Sequence, residues 1–222
     1  QRNYGILPSP KFRFAIPQPQ QLEFFANNDA AALFTATVEQ LQALGGEVEC
    51  VDFKPFLQAA QLLYEGPWVA ERRIATQGVN PDALLPVIRR ILASQADANA
   101  EKLFQAQYQL QAFYQQVQPV LEGFDFVLTP TAGTLYTIAE VQAEPIRLNS
   151  QLGYYTNFMN LLDCSAVAVP AGFMANGLPF GVTLFSRAFS DTRLLSLANR
   201  LQQALQLPLG ATGKALPAAK TI

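Results

Sequence analysis

The chain has 222 residues, 50% of them hydrophobic, with 15 Lys and Arg against 17 Asp and Glu and not one histidine. That length supports a sizeable core, but without histidine no Ser-His-Asp or Cys-His nucleophile system and no His-ligated metal site can be built, so a general base near neutral pH would be a perturbed carboxylate, Lys or Tyr. A net charge of -2 with no basic stripe argues against nucleic acid or anionic membrane as a partner, and no stretch reaches the roughly 18 uncharged apolar residues of a membrane span.

Lys11 to Pro17 predicts a strand, with Phe12, Phe14 and Ile16 alternating before the Pro17-Gln18-Pro19 breaker. Asp29 is the expected N-cap of a helix that carries Leu33, Phe34, Val38, Leu41 and Leu44 and stops at Gly45-Gly46. Glu47 to Phe53 gives a second strand. A strand-helix-strand unit is most economically a parallel pair with a right-handed crossover, which implies an α/β sheet. From Pro55 to Pro119 the chain is helical in character, with breaks at Gly66-Pro67, from Gly78 to Pro81 and around Asp97. Its strongest helix is Asn99 to Gln118, where Leu103, Ala106, Leu110, Phe113 and Val117 share one face and a run of glutamines forms a solvated opposite face.

The remainder returns to sheet. Phe124 to Leu128 is a buried strand ending at Thr129-Pro130-Thr131, and Phe158 to Leu162 is a helical run. Ala166 to Val169 is a strand stopped by Pro170-Ala171-Gly172, and Phe180 to Phe185 follows the Asn176-Gly177-Leu178-Pro179 turn. Ser190-Asp191 caps a last helix with Leu194, Leu195, Leu197, Ala198, Leu201 and Leu205 as its apolar stripe, and the tail after Leu207 reads as loosely held.

Charged residues make up 14% of the chain, low for a free-standing surface, so part of that surface is expected to be covered. Cys50 and Cys164 form no framework and suit free thiols in a reducing compartment. The start, Gln1-Arg2-Asn3-Tyr4, carries neither an initiator Met nor a leader pattern and reads as a cut edge.

Four places hold residues that suit chemistry. Thr129 to Thr134 lies at a strand exit, where α/β sheets place ligands, although its hydroxyls serve equally to cap local backbone. Tyr64-Glu65-Gly66-Pro67-Trp68-Val69-Ala70-Glu71-Arg72 sets a phenol, the single indole and a guanidinium around a helix break. Arg72 and Tyr64 could hold a planar carboxylate, or Arg72 could pair with Glu71 or Glu65 while Trp68 is core, and residue types alone favour the second. Cys164 beside Ser165 invites a nucleophile, but with no histidine and a hydrophobic strand following it reads as a small buried residue. Asn149-Ser150 and Tyr154-Tyr155-Thr156-Asn157 form a polar and aromatic patch that is either an interface or a helix start. The carboxylates are scattered, and Gly45-Gly46 is followed by Glu47, so no acid/base pair or phosphate loop emerges.

These residues acquire a context from a family. The runs Phe12 to Pro17, Gln21 to Phe25, Leu63 to Arg72, Leu128 to Thr134, Arg147 to Ser150, Leu152 to Phe158, Val169 to Gly172 and Gly177 to Val182 resemble the amidase signature family over about Phe12 to Leu205. The Leu63 to Arg72 and Leu152 to Phe158 runs are similar to its allophanate hydrolase branch. The resemblance implies an amidase-signature-type mixed β-sheet flanked by helices and present only in part, with residues 1–207 as the C-terminal portion of an amidase domain and 208–222 as the tail. It implies hydrolysis of a linear amide by a Ser-cisSer-Lys triad that needs no histidine, with Tyr64 and Arg72 at the substrate's carboxylate end. No cofactor and no metal are implied.

The family's Gly-Gly-Ser-Ser-Gly-Gly stretch is not in this sequence. None of the seven serines has a glycine neighbour, and none of the five lysines stands in the family's catalytic context. The expectation is a cytoplasmic chain that supplies the substrate pocket for a small amide or carboxylate. It would be inactive alone and need an N-terminal amidase half; a homo-oligomer is compatible with it. Another amidohydrolase or amidotransferase subunit of the same family, and a non-catalytic amidase-like binding module, remain open readings.

Overall fold

The computed structural model describes residues 11–94 and 97–217, so the opening Gln1 to Tyr4 and the end of the tail, 218–222, lie outside the described residues. In chain order the elements are β1 (Phe12–Pro17), α1 (Asn28–Ala43), β2 (Gly46–Val51), α2 (Lys54–Glu65), α3 (Trp68–Ala75), α4 (Pro86–Ala93), α5 (Ala100–Gly123), β3 (Phe126–Pro130), α6 (Ile138–Ala143), α7 (Arg147–Leu152), β4 (Cys164–Phe173), β5 (Pro179–Arg187) and α8 (Asp191–Leu205). The strands join in the order β2-β1-β3-β5-β4. β1 pairs in parallel with β2 and β3, and β5 pairs antiparallel with β3 and β4, so the sheet is mixed.

Strand alternation sorts the core into two layers. Phe12 and Phe14 of β1, Phe126 and Leu128 of β3, and Val182 and Leu184 of β5 meet α1 and α8 on one face. Ala15, Val127 and Phe185 point the other way, against α2, α5 and the segment carrying Tyr155, Phe158 and Leu162. Three stacked layers result, helix on sheet on helix.

Several boundaries differ from the sequence reading, each for a local reason. The cap of α1 is Asn27, whose side chain accepts from the Ala30 amide at 3.0 Å. Asp29 instead accepts from the Ala175 amide and pins the β4–β5 turn to that helix. α5 runs through Pro119 to Gly123, because Val117 and Leu121 on either side of the proline are buried in the core and hold the helix on its path. At 24 residues it is about 36 Å long, well beyond the five-residue β3 it packs against, and Leu103 near its start is exposed rather than on a buried face. Leu103, Phe104, Tyr108, Ile74, Leu85 and Ile88 together leave an apolar surface on α3, α4 and α5.

β4 continues past Pro170 to Phe173 by way of a bulge between Pro170 and Gly172. Gly172 holds φ at 151°, so glycine is favoured by conformation, and a Cβ there would lie 2.6 Å from Leu33 Cδ2 and push that side chain aside. The side chain of Ser190 makes no cap on α8. Instead Ser165 Oγ accepts from the Ser190 amide at 3.1 Å and donates to Asp191 Oδ2 at 2.9 Å. Leu195 of α8 is exposed while the rest of its stripe is buried or half-buried. The predicted helical run over 158–162 is a chain of turns, in which amides reach back three, four or five residues (Met159 to Thr156, Leu162 to Phe158, Cys164 to Met159). Anchoring Tyr155, Phe158 and Leu162 in one core layer overrides regular helical spacing. No helix among the described residues is long and apolar enough to cross a membrane.

Candidate functional site: a guanidinium stacked on a phenol at a helix break

α2 buries Phe56, Ala59 and Leu63 along one stripe, which places Tyr64 in its last turn on the exposed flank. The helix ends at Gly66, whose amide donates to Leu62 O at 3.0 Å. A Cβ on Gly66 would stand 2.5 Å from that same carbonyl and 3.1 Å from the Trp68 ring, so only glycine lets the chain turn there. Pro67 then opens α3. The turn brings Arg72 back over Tyr64, with its guanidinium carbon 5.0 Å from the ring centre. Trp68 is half-buried with its ring edge against Gly66, not a core residue.

Among the described residues Arg72 has no carboxylate partner, so the pairing with Glu71 or Glu65 is absent. A position over the ring face leaves the guanidinium N–H fork unspent. The Tyr64 hydroxyl is likewise without a hydrogen bond among the described residues. A planar anion is the ligand such a fork accepts in two parallel bonds.

A cavity of about 270 Å³ adjoins Tyr64, walled by Glu65, Ser150, Gly153, Tyr154 and Asn157. The patch from Asn149 to Asn157 therefore divides between structure and site. Asn149 Nδ2 donates to Pro145 O at 2.5 Å and Ser150 Oγ to Ile146 O at 3.0 Å, both bonds local to α7. Tyr154 donates to Gln21 O at 3.2 Å. Tyr155 is fully buried; its hydroxyl accepts from the Glu23 amide at 2.6 Å and donates to the Glu23 carbonyl at 2.9 Å, and burial pushes that phenol far above its ordinary pKa.

The Gln21 to Phe25 run proves to be a brace. Gln21 donates to Asp52 Oδ1 at 2.6 Å and accepts from the Phe53 amide at 2.7 Å, which ties the exit of β1 to the start of α2. Phe25 and Ala26 then take left-handed backbone conformations, φ 51° and 63°, to turn into α1. Removing the Tyr155 hydroxyl (Tyr155→Phe) leaves the Glu23 amide facing a ring edge. Its expected cost is about 1–3 kcal/mol, read as a lower denaturant midpoint at unchanged slope.

The other candidates do less. At the strand exit Thr131 Oγ1 lies 2.9 Å from Thr183 Oγ1 and Thr134 Oγ1 accepts from Asn27 Nδ2 at 3.2 Å, so these hydroxyls tie neighbouring segments together. Thr129 Oγ1 is buried there with no hydrogen-bond partner among the described residues. An adjoining cavity of about 430 Å³ is lined mainly by apolar groups such as Met174, Pro170 and Phe180. A larger one of about 590 Å³ lies between α2 and α5, where Lys102 is already paired with Asp97. Neither is lined by Tyr64; the smaller cavity is, with Glu65 as its charged wall, while Arg72 lies over the Tyr64 ring rather than in the cavity lining.

Cys164 is half-buried with its sulfur 3.7 Å from Leu162 O, and burial pushes its thiol up to about 12. Near pH 8 the thiol is held in its protonated, unreactive form. A maleimide reagent is therefore expected to modify exposed Cys50 and leave Cys164 untouched until the protein unfolds, as mass spectrometry of the digested protein can check.

The sequence pattern of the Amidase family matches residues 8–195 of this chain. The chain belongs to the amidase family. The urea amidolyase of Lachancea kluyveri is 40% identical to it over 187 residues, covering 82% of this chain and 10% of that protein. The allophanate hydrolase of Kluyveromyces lactis, solved as an alanine variant, superposes with a TM-score of 0.88 at 34% identity, covering 97% of this chain and 36% of that one. By contrast, a glutamyl-tRNA(Gln) amidotransferase polypeptide of Aromatoleum aromaticum is 37% identical over 101 residues, 45% of this chain and 20% of that protein. This amidase chain thus spans about a tenth of the length of the urea amidolyase it matches.

Within the amidase fold, four of the chain's serines spend their hydroxyls on structure. Ser94, Ser150 and Ser186 donate to backbone carbonyls, and Ser165 donates to Asp191. What the described residues bring together is a guanidinium and a phenol, with Arg72 over the Tyr64 ring. Sequence reasoning singles out Tyr64 and Arg72, but residue types alone do not tell that one lies over the other.

Proposed function

We propose that this chain is the substrate-recognising part of an allophanate hydrolase, which cleaves the amide of allophanate in urea breakdown and releases ammonia and carbon dioxide. The observation that carries the proposal is the unpaired Arg72 guanidinium stacked on Tyr64 beside a cavity. Arg72 takes the substrate carboxylate in its fork, and the Tyr64 hydroxyl donates to the same group. Fixing that end orients the amide carbon at the other end for attack and lowers the entropic part of the barrier. The nucleophile belongs to an N-terminal amidase half with a Ser-cisSer-Lys triad. This chain alone is inactive, and its free cysteines suit a cytoplasmic enzyme.

Ammonia release tests the proposal. The full-length protein should liberate ammonia from allophanate, and this chain alone should not. Turnover of simple neutral amides such as acetamide with none of allophanate would overturn it, and would favour a general amidase.

A further inference from the structure

Asn157 stands out once the hydrogen bonds around the Tyr64 cavity are assigned. Tyr154 is engaged with Gln21 O, Ser150 with Ile146 O, and Glu65 also has a partner. The carboxamide of Asn157 makes no hydrogen bond among the described residues, although it is half-buried and walls the same cavity as Tyr64. Gln61, the other amide there, is exposed.

The carboxamide of Asn157 lies folded against Gly153: a Cβ there would fall 2.5 Å from both Asn157 Nδ2 and Oδ1 and 2.7 Å from Cγ, so a larger residue at 153 would push the carboxamide aside. Gly153 has φ -85°, so its backbone conformation does not itself call for glycine. On either side the chain is fixed, since Tyr155 and Phe158 are fully buried and Tyr155 is bonded twice to Glu23. Asn157 is therefore a donor and acceptor on well-anchored backbone, with its side-chain capacity unspent among the described residues. Half-buried polar groups of that kind are matched by a ligand or carry a desolvation cost.

We infer that Asn157 is a specificity-determining residue that reads the ureido group of the substrate. Its Oδ1 accepts from the N–H that bridges the two carbonyl carbons, and its Nδ2 donates to a carboxylate oxygen beside Arg72. This rests on the carboxylate reading of Tyr64 and Arg72. A site that hydrogen-bonds a substrate N–H discriminates strongly against an analogue lacking it, because its buried acceptor is then left unpaired.

The test compares allophanate with malonamate, in which a methylene replaces the bridging N–H, in the full-length enzyme. Ratios between variants cancel the intrinsic reactivity of the two amides. Asn157→Leu, of similar size, should lose at least ~30-fold in kcat/KM on allophanate and much less on malonamate, so the preference for allophanate collapses. Asn157→Asp keeps the shape and the acceptor, loses the donor and adds a negative charge. It should raise KM for both substrates at least ~10-fold while retaining the preference, and it serves if the leucine variant fails to fold. An unchanged allophanate-to-malonamate ratio in Asn157→Leu, or its collapse in Asn157→Asp, overturns the inference. Failure of the underlying reading looks different: Arg72→Ala would then leave allophanate turnover intact, whatever Asn157 does.

Discussion

Phe158→Ala is expected to destabilise the protein by about 3–5 kcal/mol, the range for a large side chain removed from a packed core. Phe158 is fully buried, and its ring centre lies 5.5 Å from that of Phe53, 5.2 Å from Phe56 and 5.3 Å from Phe185. Those rings come from the approach to α2, from α2 itself and from β5, so one truncation opens a cavity where three separate parts of the chain meet. Edge-on and tilted contacts of this kind add to the burial term. The control is Phe104→Ser on α5: Phe104 is 54% exposed, and its loss should change stability by less than about 0.5 kcal/mol. Urea midpoints of the two variants should therefore separate clearly. Because Asn157 immediately precedes Phe158, the core variant should also raise KM for allophanate under conditions where it remains folded.

Arg72→Ala carries the largest expected effect on activity. Hydrogen bonds to a charged group contribute about 1.5–3 kcal/mol, which corresponds to a loss in kcat/KM of about 100-fold when the fork is removed. Arg72→Lys should recover little of it. An ammonium keeps the charge but cannot offer two coplanar N–H groups, and it stacks less well on the Tyr64 ring. Tyr64→Phe preserves the ring under the guanidinium and removes one hydroxyl, so a loss of about 5–10-fold is expected from a single hydrogen bond. Neither change should move the urea midpoint much, since Tyr64 is 42% exposed and Arg72 is half-buried.

The parts of this fold that are legible in the sequence are those governed by a local period. Alternation in β1 and the apolar run of β3 give strands within a residue or two, and the run from Leu33 to Leu44 gives α1. Reading fails where a distant group supplies what the local sequence lacks. Proline at 119 and at 170 reads as a stop, yet α5 is held on its path by Val117 and Leu121, and β4 absorbs Pro170 in a bulge at the edge of the sheet. At α8 the same holds, with Ser165 serving a helix whose first residue lies 26 positions later, whereas α1 is capped by the local Asn27 while Asp29 is drawn to the distant Ala175 amide.

The site is half legible. Tyr64 and Arg72 sit on two different helices, so no helical period relates them. Their meeting depends on the turn that Gly66 permits, and residue types alone favour an ion pair that is absent among the described residues. Asn157 is visible in the sequence only as a member of a polar and aromatic patch. What sets it apart is the accounting of its neighbours' hydrogen bonds, which requires the fold.

The charge of the substrate offers the most direct test of the Arg72 and Tyr64 clamp. Biuret has the shape of allophanate with a neutral carboxamide in place of the carboxylate. Initial rates of ammonia release from the two, measured in the full-length enzyme and in Arg72→Ala, should show a strong preference for allophanate in the first and near-equality in the second. A preference for allophanate that survives Arg72→Ala undiminished would contradict the account.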